Sequence, residues 1–249
     1  MINRINNILN KLYGKTARRI YAAGFSVIEA TLILLILFSA MDKIVLCYAS
    51  VAVAFLLALP FLFENAKINS FIIAALFFTL VADFFLVIEY GRTGEYIYQC
   101  HGVSAFMIVQ ILYFLYIYRV KGKGNFLPHL LVRLALSFAV ITVSFVVIGE
   151  SNNYLSVISA AYFSWLIMNI VLSSVNFKNN WLLFVGLIFF ALCDLYVGLQ
   201  GADGVFFDIP SGFLHDLIFP SFNAIWLFYG VSQTLIVLHL VLKPKRLTA

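Results

Sequence analysis

Long apolar runs, separated by short polar connections, divide the chain into eight segments. Each run has about 20 residues, the length that an α-helix needs to cross a hydrocarbon core about 30 Å thick. The runs cover residues 22–40, 44–63, 70–90, 97–118, 130–149, 154–175, 181–200 and 216–242. The pattern predicts an all-α, polytopic membrane protein with one domain, a bundle of eight transmembrane helices over residues 22–242.

The composition supports a membrane protein and excludes a soluble one. Of the 249 residues, 63% are hydrophobic and 11% are charged, whereas about 25% are charged in a soluble domain. A soluble fold could not cover that apolar surface with polar groups, but a bilayer solvates it. The net charge of +5 does not indicate a nucleic-acid partner, because the basic residues lie only in short segments between apolar runs.

The distribution of basic residues predicts the orientation in the membrane. When successive runs alternate in direction, fourteen of the sixteen Lys and Arg residues fall on one side, and only Lys43 and Arg92 fall on the other. Cytoplasmic connections carry the excess of Lys and Arg. The sequence therefore predicts that both termini are cytoplasmic. In a bacterium, the membrane would be the cytoplasmic membrane.

Two basic segments flank the predicted bundle. The N-terminal segment is residues 1–21, and Ile2, Ile5, Ile8, Leu9 and Leu12 fall on one face of a helix drawn through it. Two interpretations remain open, an interfacial helix on the cytoplasmic leaflet or a loosely ordered basic tail. Residues 243–249 form a basic C-terminal tail.

Away from the ends of the apolar runs, at membrane depth, three carboxylic acids occur. An unpartnered ionisable side chain costs several kcal/mol there. Asp83 and Asp194 fall at similar depths, about 18–20 Å from the cytoplasmic ends of their helices at 1.5 Å per residue. We interpret them as functional, and the alternative is a pair of packing groups satisfied by Asn, Gln or Tyr. Glu29 is shallower, so we expect it to reach Arg18 or Arg19 at the cytoplasmic interface.

Small, polar and aromatic residues fall on single faces of four predicted helices near the depth of the two aspartates. They are Gly102, Phe106 and Gln110 in the fourth run, Tyr162, Trp165, Asn169 and Ser173 in the sixth, Gly186, Phe190, Asp194 and Gly198 in the seventh, and Asn223, Trp226, Tyr229 and Gln233 in the eighth. One such face alone is typical of helix packing, and the glycines of the seventh run would permit close helix approach. Together with two aspartates, the four faces predict a polar cavity.

Metal and nucleophile motifs are missing from the sequence. The three cysteines have no metal-ligand spacing, and no two of the four histidines share a helical face at i and i+4. There is no GxSxG, HExxH or phosphate-binding loop. We therefore predict no metal and no cofactor, and we expect the cysteines to be small packing residues.

Four short motifs resemble those of a known family of membrane proteins. They are Ala82-Asp83 in the third run, Gly102, Phe106 and Gln110 in the fourth, Cys193-Asp194 after a Phe-rich stretch in the seventh, and Tyr229 with Gln233 in the last. The chain thereby resembles the lysoplasmalogenase family, the YhhN-like integral membrane proteins, from about residue 70 to 240. Three positions depart from the family motifs: Ala82 replaces Gly, Cys193 replaces Ser, and Gln110 replaces a His that could transfer protons.

The resemblance implies hydrolysis of the vinyl-ether bond of a lysoplasmalogen, which releases a fatty aldehyde and a glycerophospho-headgroup. It implies that Asp83 and Asp194 are catalytic. One neutral carboxylic acid would protonate the double bond, and one ionised carboxylate would stabilise the resulting cation and activate water, as two carboxylates do in glycosidases. The residues expected to bind the lysophospholipid are Gln110, Tyr229, Gln233, Asn169, Tyr162, Gly102 and Phe106.

Two other functions fit the same residues. A small proton-coupled transporter would also need carboxylates near the membrane midplane and a polar cavity, but the sequence has neither an inverted repeat nor a pair of Gly/Pro-broken helices. A non-catalytic, lipid-binding protein of the same fold is the third hypothesis, and it is favoured if Gln110 disables the chemistry.

The predicted topology can be tested by cysteine-accessibility labelling from outside the cell. Cysteine introduced at residue 123 or in the C-terminal tail is expected to stay unlabelled, because the positive-inside rule places both in the cytoplasm. Cysteine at residue 92 is expected to react and serves as the control. External labelling of the C-terminal tail would contradict the orientation, and external labelling of residue 123 would contradict the number of helices.

Overall fold

A computed structural model of the chain describes residues 14–38, 43–121, 125–149, 152–175, 177–203 and 209–243. These ranges contain the helices α1 (Lys15–Phe38), α2 (Lys43–Glu64), α3 (Ala66–Thr93), α4 (Tyr96–Lys121), α5 (Phe126–Ile148), α6 (Tyr154–Ser174), α7 (Phe177–Ala202), α8 (Phe213–Ile218) and α9 (Ala224–Leu242). All except α8 are long and apolar enough to cross a membrane, which confirms the predicted fold class. The predictions about residues 2–13 and 244–249 lie outside the described residues.

Seven of the long helices close into a ring, and the eighth lies outside it. Neighbours in the ring pack in the order α1, α2, α3, α4, α6, α7, α9 and back to α1. Helix α5 packs mainly on α6. In a helix the backbone N–H and C=O groups bond to each other, because hydrocarbon offers them no hydrogen-bond partner. The enclosed interior of the ring is therefore where polar side chains can be kept away from lipid.

The predicted run 216–242 extends too far toward the N-terminus. In the structure the short helix α8 ends at Ile218, and α9 begins only at Ala224. Pro220 lies between them and lacks a backbone N–H donor for a continuous helix. The side chain of Asn223 then accepts a hydrogen bond from the backbone nitrogen of Trp226 at 3.2 Å, which caps the start of α9.

Helix α3 changes its winding directly after Asp83. Residues Ala66–Asp83 form a regular α-helix, Phe84–Glu89 form a π-helical segment, and Tyr90–Thr93 complete the helix. Such segments occur frequently at functional sites because they alter the direction of the side chains that follow. The change therefore lies next to one of the two predicted catalytic residues.

A buried cation joins the N- and C-terminal helices at one end of the bundle. We name this end the terminal face, because Lys15 and Leu242 lie there. Arg18 forms an ion pair with Glu64. It also donates to the backbone oxygens of Val241 at 3.1 Å and Lys243 at 2.7 Å. One guanidinium thereby connects α1, α2 and the end of α9.

Glu29 differs from its predicted place at the interface. It is fully buried, and its Oε2 accepts a hydrogen bond from the Ser50 hydroxyl at 2.7 Å. Arg18, one of its expected partners, binds Glu64 instead. The prediction was wrong because the depth of a residue on one helix does not specify which neighbouring helix faces it.

Arg133 is a second buried cation, on the peripheral helix α5. Arg133 and Ser137 are the buried residues of that helix. The guanidinium carbon lies 4.2 Å from the ring centre of Phe114 and 5.2 Å from that of Trp165. It donates to the Trp165 backbone oxygen at 3.3 Å. Aromatic faces stabilise a desolvated cation, so Arg133 holds α5 against α4 and α6.

Glu64→Ala tests the attachment of the terminal helices. Removal of the carboxylate would leave the buried Arg18 without its counter-charge, so the free energy of unfolding is expected to fall by about 3–5 kcal/mol. The measurement is reversible unfolding in mixed detergent micelles. Glu95→Ala, at an exposed site between α3 and α4, is the control and is expected to change stability by less than about 0.5 kcal/mol. Equal stability of the two variants would contradict the role of the ion pair.

Candidate active site

The two intramembrane aspartates lie at the same distance along their helices. Asp83 and Asp194 are each 17 residues after the first residues of α3 and α7, Ala66 and Phe177. That distance is about 25 Å along the helix axis. Both lie farther from the terminal face than the sequence predicts, because both helices begin before the apolar runs do.

Asp83 is buried and bonded to a tyrosine of another helix. It is 3% exposed, and the hydroxyl of Tyr229 on α9 donates to its Oδ2 at 2.5 Å. A buried carboxyl group without a partner costs several kcal/mol in an apolar environment. The hydrogen bond to Tyr229 therefore offsets part of the cost of burying the Asp83 carboxyl group.

Asp194 has the same kind of partner. The hydroxyl of Tyr162 on α6 donates to its Oδ2. Tyr162 is buried, whereas Asp194 is partly exposed. The site thus contains two aspartate–tyrosine pairs, one joining α3 to α9 and the other joining α6 to α7. In this structure both tyrosine hydroxyls, which the sequence predicts to bind substrate, are bound to the aspartates.

A shared aromatic wall brings the two pairs together. The ring centre of Phe106 lies 5.9 Å from that of Tyr162 and 6.4 Å from that of Tyr229. Phe190 lies 5.5 Å from both Phe106 and Tyr229. Phe106 therefore contacts a member of each pair, and the interior around the carboxyl groups is apolar on this side.

The two carboxyl groups are close enough for the charge of Asp194 to act on Asp83. The thiol of Cys193 lies within the electrostatic range of both and is buried, with 4% exposed. Asp83, Asp194 and Cys193 thus belong to one cluster. In a cluster of this kind, one carboxyl group can be protonated while the other is ionised.

Gln110 and Asn169 bind each other beside the aspartate–tyrosine pairs. Both are fully buried, and the Asn169 amide nitrogen donates to the Oε1 and the backbone oxygen of Gln110, each at 2.9 Å. The Gln110 amide nitrogen and the Asn169 Oδ1 have no hydrogen-bond partner among the described residues. The pair therefore retains one free donor and one free acceptor.

Gln233 lies one helical turn from Tyr229 and is 1% exposed. Neither polar atom of its side chain has a partner in the part of the chain that the structure describes. Like Gln110, it carries unused hydrogen-bonding capacity within the bundle.

The glycines predicted near the site have different roles. A Cβ atom added to Gly102 would lie 2.4 Å from the Cγ of Leu86 in the π-helical segment, so this glycine allows α3 and α4 to pack closely. Gly186 allows α7 to approach α9, because an added Cβ would lie 3.3 Å from the Ser232 backbone oxygen. Among the described residues, Gly198 has no neighbouring atom within 4 Å of such a position, so none of them makes the expected close approach there.

Two residues of the cluster were not predicted as site residues. Cys193 was interpreted as a packing residue, although it precedes Asp194 and replaces the serine of the family motif. Tyr113 lies within the electrostatic range of both site tyrosines, Tyr162 and Tyr229. Its position three residues after Gln110 places it on the same helical face, which is the signal that could have identified it.

The fold and the cluster define a polytopic membrane protein with a candidate active site enclosed by its helices. The sequence model of the YhhN family matches residues 30–240. The chain therefore belongs to the YhhN family, which corresponds to lysoplasmalogenase-type proteins. The match begins about 40 residues before the resemblance seen in the motifs. No curated protein and no solved structure matches the chain.

Tyr229→Phe and Tyr162→Phe test whether the tyrosines stabilise the buried carboxyl groups. Each variant keeps the ring and removes the hydroxyl, so each is expected to lower the free energy of unfolding by about 1–3 kcal/mol. Tyr196→Phe is the control, because the Tyr196 ring packs on Phe228 and its hydroxyl bonds to no described residue. Unfolding in detergent micelles measures the three variants. Unchanged stability in both site variants would contradict the pairing.

Proposed function

We propose that the protein is a membrane hydrolase that cleaves the vinyl-ether bond of lysoplasmalogen-type lysophospholipids. The products are a fatty aldehyde and a glycerophospho-headgroup. Membership of the YhhN family supports this class of substrate. The observation that carries the proposal is the pair of carboxyl groups, Asp83 and Asp194, each bonded to a tyrosine whose ring packs on Phe106.

The reaction requires one acid and one base. The neutral carboxylic acid of one aspartate gives its proton to the carbon of the double bond that lies farther from the ether oxygen. The cation that forms is shared between the other carbon and the oxygen. Water adds to that carbon and gives a proton to the second, ionised aspartate, which produces a hemiacetal. The second aspartate, now protonated, gives its proton to the glycerol oxygen as the bond to that oxygen breaks. The first aspartate, now ionised, takes the proton of the hemiacetal hydroxyl, which becomes the aldehyde oxygen, so both aspartates return to their first states.

The tyrosines suit this exchange of roles. A phenol hydroxyl donates to a carboxylate and can rotate to accept from a carboxylic acid. Tyr229 and Tyr162 can therefore remain bonded to Asp83 and Asp194 when the proton moves between the two sides. The aromatic wall formed by Phe106 and Phe190 gives the developing cation an apolar surface with a negative ring face.

The amide residues fit a binding role rather than an acid–base role. Gln110 cannot exchange protons at neutral pH, and it stands where the family motif has histidine. Its free donor, the free acceptor of Asn169 and the side chain of Gln233 are suited to glycerol hydroxyls of the substrate. We assign acid–base chemistry to the aspartates alone and binding to these three amides.

Asp83→Asn and Asp194→Asn are the decisive substitutions. Each keeps the size of the side chain and a hydrogen-bond acceptor for the tyrosine, but neither can be an acid or a base. Each is expected to reduce aldehyde release from a lysoplasmalogen by at least about 100-fold, with little loss of folded protein, because neutral Asn is easier to bury than a charge. Asp216→Asn, at an exposed position of α8, is the control and is expected to keep full activity.

Substitutions of Gln110 separate binding from chemistry in the same assay. Gln110→Ala is expected to have a smaller effect than either Asn variant, and Gln110→His restores the family residue and is expected to raise activity. Wild-type activity in both Asn variants would contradict the mechanism. A folded wild-type protein that releases no aldehyde but carries out proton-dependent uptake would indicate a carrier, and one that only binds the lipid would indicate a non-catalytic protein.

A further inference from the structure

Two buried hydroxyl groups beside the aspartate–tyrosine pairs have no role in the mechanism so far. Tyr113 of α4 and Thr79 of α3 are both 0% exposed. Their hydroxyls interact with each other, but the contact lacks normal hydrogen-bond geometry, and neither hydroxyl bonds to any other residue that the structure describes. Buried polar groups are nearly always bonded, and an exception in a native protein calls for an explanation.

The two hydroxyls lie close to both aspartate–tyrosine pairs. Tyr113 lies two helical turns after Phe106, on the face of α4 that contacts Tyr162 and Tyr229. Thr79 is four residues before Asp83 and therefore lies one turn away on the same face of α3. Gln233 is one turn from Tyr229, and both of its polar atoms are unpartnered. Three side chains with unsatisfied polar atoms, each more than nine-tenths buried, thus lie on the side of the site nearer the terminal face.

A small, uncharged ligand with donors and acceptors matches these groups. A buried water molecule makes about three hydrogen bonds to groups that are otherwise unsatisfied. Hydroxyls and an amide can both donate and accept, as water does. No Lys, Arg or His belongs to this group, so an anion would lack a counter-charge there. We infer that Thr79 and Tyr113 hold the water molecule that adds to the substrate, on the side of the two aspartate–tyrosine pairs nearer the terminal face. Gln233 has two unpartnered polar atoms, so one can bond to this water while the other binds the substrate.

This inference rests on the proposed hydrolysis and gives it a co-substrate site. The water oxygen forms the new bond to the cationic carbon, and one water proton passes to the ionised aspartate. Thr79 and Tyr113 stay chemically unchanged, so they are positioning residues. They fix the direction in which the oxygen lone pair points, and a poorly placed reactant can lower a rate by about 100-fold.

Tyr113→Phe and Thr79→Val test the inference, because each removes one hydroxyl and preserves the shape of the side chain. A positioning role predicts that kcat for aldehyde release falls by about 10- to 100-fold, while KM stays within about twofold because the lipid contacts are kept. The melting temperature is expected to change little, because each hydroxyl bonds to a water molecule and does not join two helices. A merely structural role would not separate kcat from the melting temperature in this way.

Tyr116→Phe is the matched control on the same helix. The Tyr116 hydroxyl is also buried, but it bonds to the Nε2 of His239 at 2.8 Å and accepts from the Lys243 amine at 3.1 Å. Its removal is expected to lower the melting temperature and to leave kcat unchanged. The control variant should therefore change the melting temperature but not kcat, and the test variants should change kcat.

A structure of the wild-type protein at a resolution that reveals water gives a readout without turnover. Density for a water molecule within about 3.2 Å of the Tyr113 and Thr79 hydroxyls, and its loss in Tyr113→Phe, is expected. Wild-type kcat in both variants, or no water at this position, would overturn the inference and leave the hydrolase intact. A wild-type protein that releases no aldehyde would overturn the proposed function and the inference with it.

Discussion

The cost of placing a carboxyl group in hydrocarbon determines the architecture around the candidate site. An isolated carboxylate at this depth would be several kcal/mol less stable than in water, so each aspartate has to be held against a partner. Asp83 is bonded to Tyr229 and Asp194 to Tyr162. Because each bond joins two different helices, the same two contacts that permit the carboxyl groups also fix α3 on α9 and α6 on α7. The proposed chemistry and the packing of the bundle therefore depend on the same hydrogen bonds.

The sequence predicts the features of this arrangement that depend on a single helix. The length of apolar runs gives the number of spans, and the count of residues from a helix start gives the depth of Asp83 and Asp194. The two aspartates lie at equal distances from their helix starts in both the sequence and the structure, although the helices begin earlier, at Ala66 and Phe177, than the apolar runs do. Residue type and depth together were enough to select the two carboxyl groups.

The partners of these residues could not be predicted, because they depend on how each helix is rotated and which helix lies beside it. Asp83 and Tyr229 are 146 residues apart in the chain, and no periodicity connects them. Lipid and apolar side chains solvate a helix face almost equally, so hydrophobicity does not orient a helix in the membrane as it does in water. Glu29 illustrates this limit, since its depth was compatible with Arg18 but the side chain facing it is that of Ser50.

The two polar clusters inside the bundle differ in how completely their hydrogen bonds are satisfied, and this difference separates structure from function. At the terminal face, Arg18 bonds to Glu64 and two backbone oxygens, and Tyr116 bonds to His239 and Lys243. Such a satisfied network stabilises a fold. Beside the aspartates, several polar atoms of described residues, on Thr79, Tyr113 and Gln233 among others, are unpartnered. A fold selected for stability alone would replace these with apolar groups, because unpartnered buried polar atoms weaken it. Their presence around the two carboxyl groups fits the proposed site, in which a bound molecule would complete these hydrogen bonds.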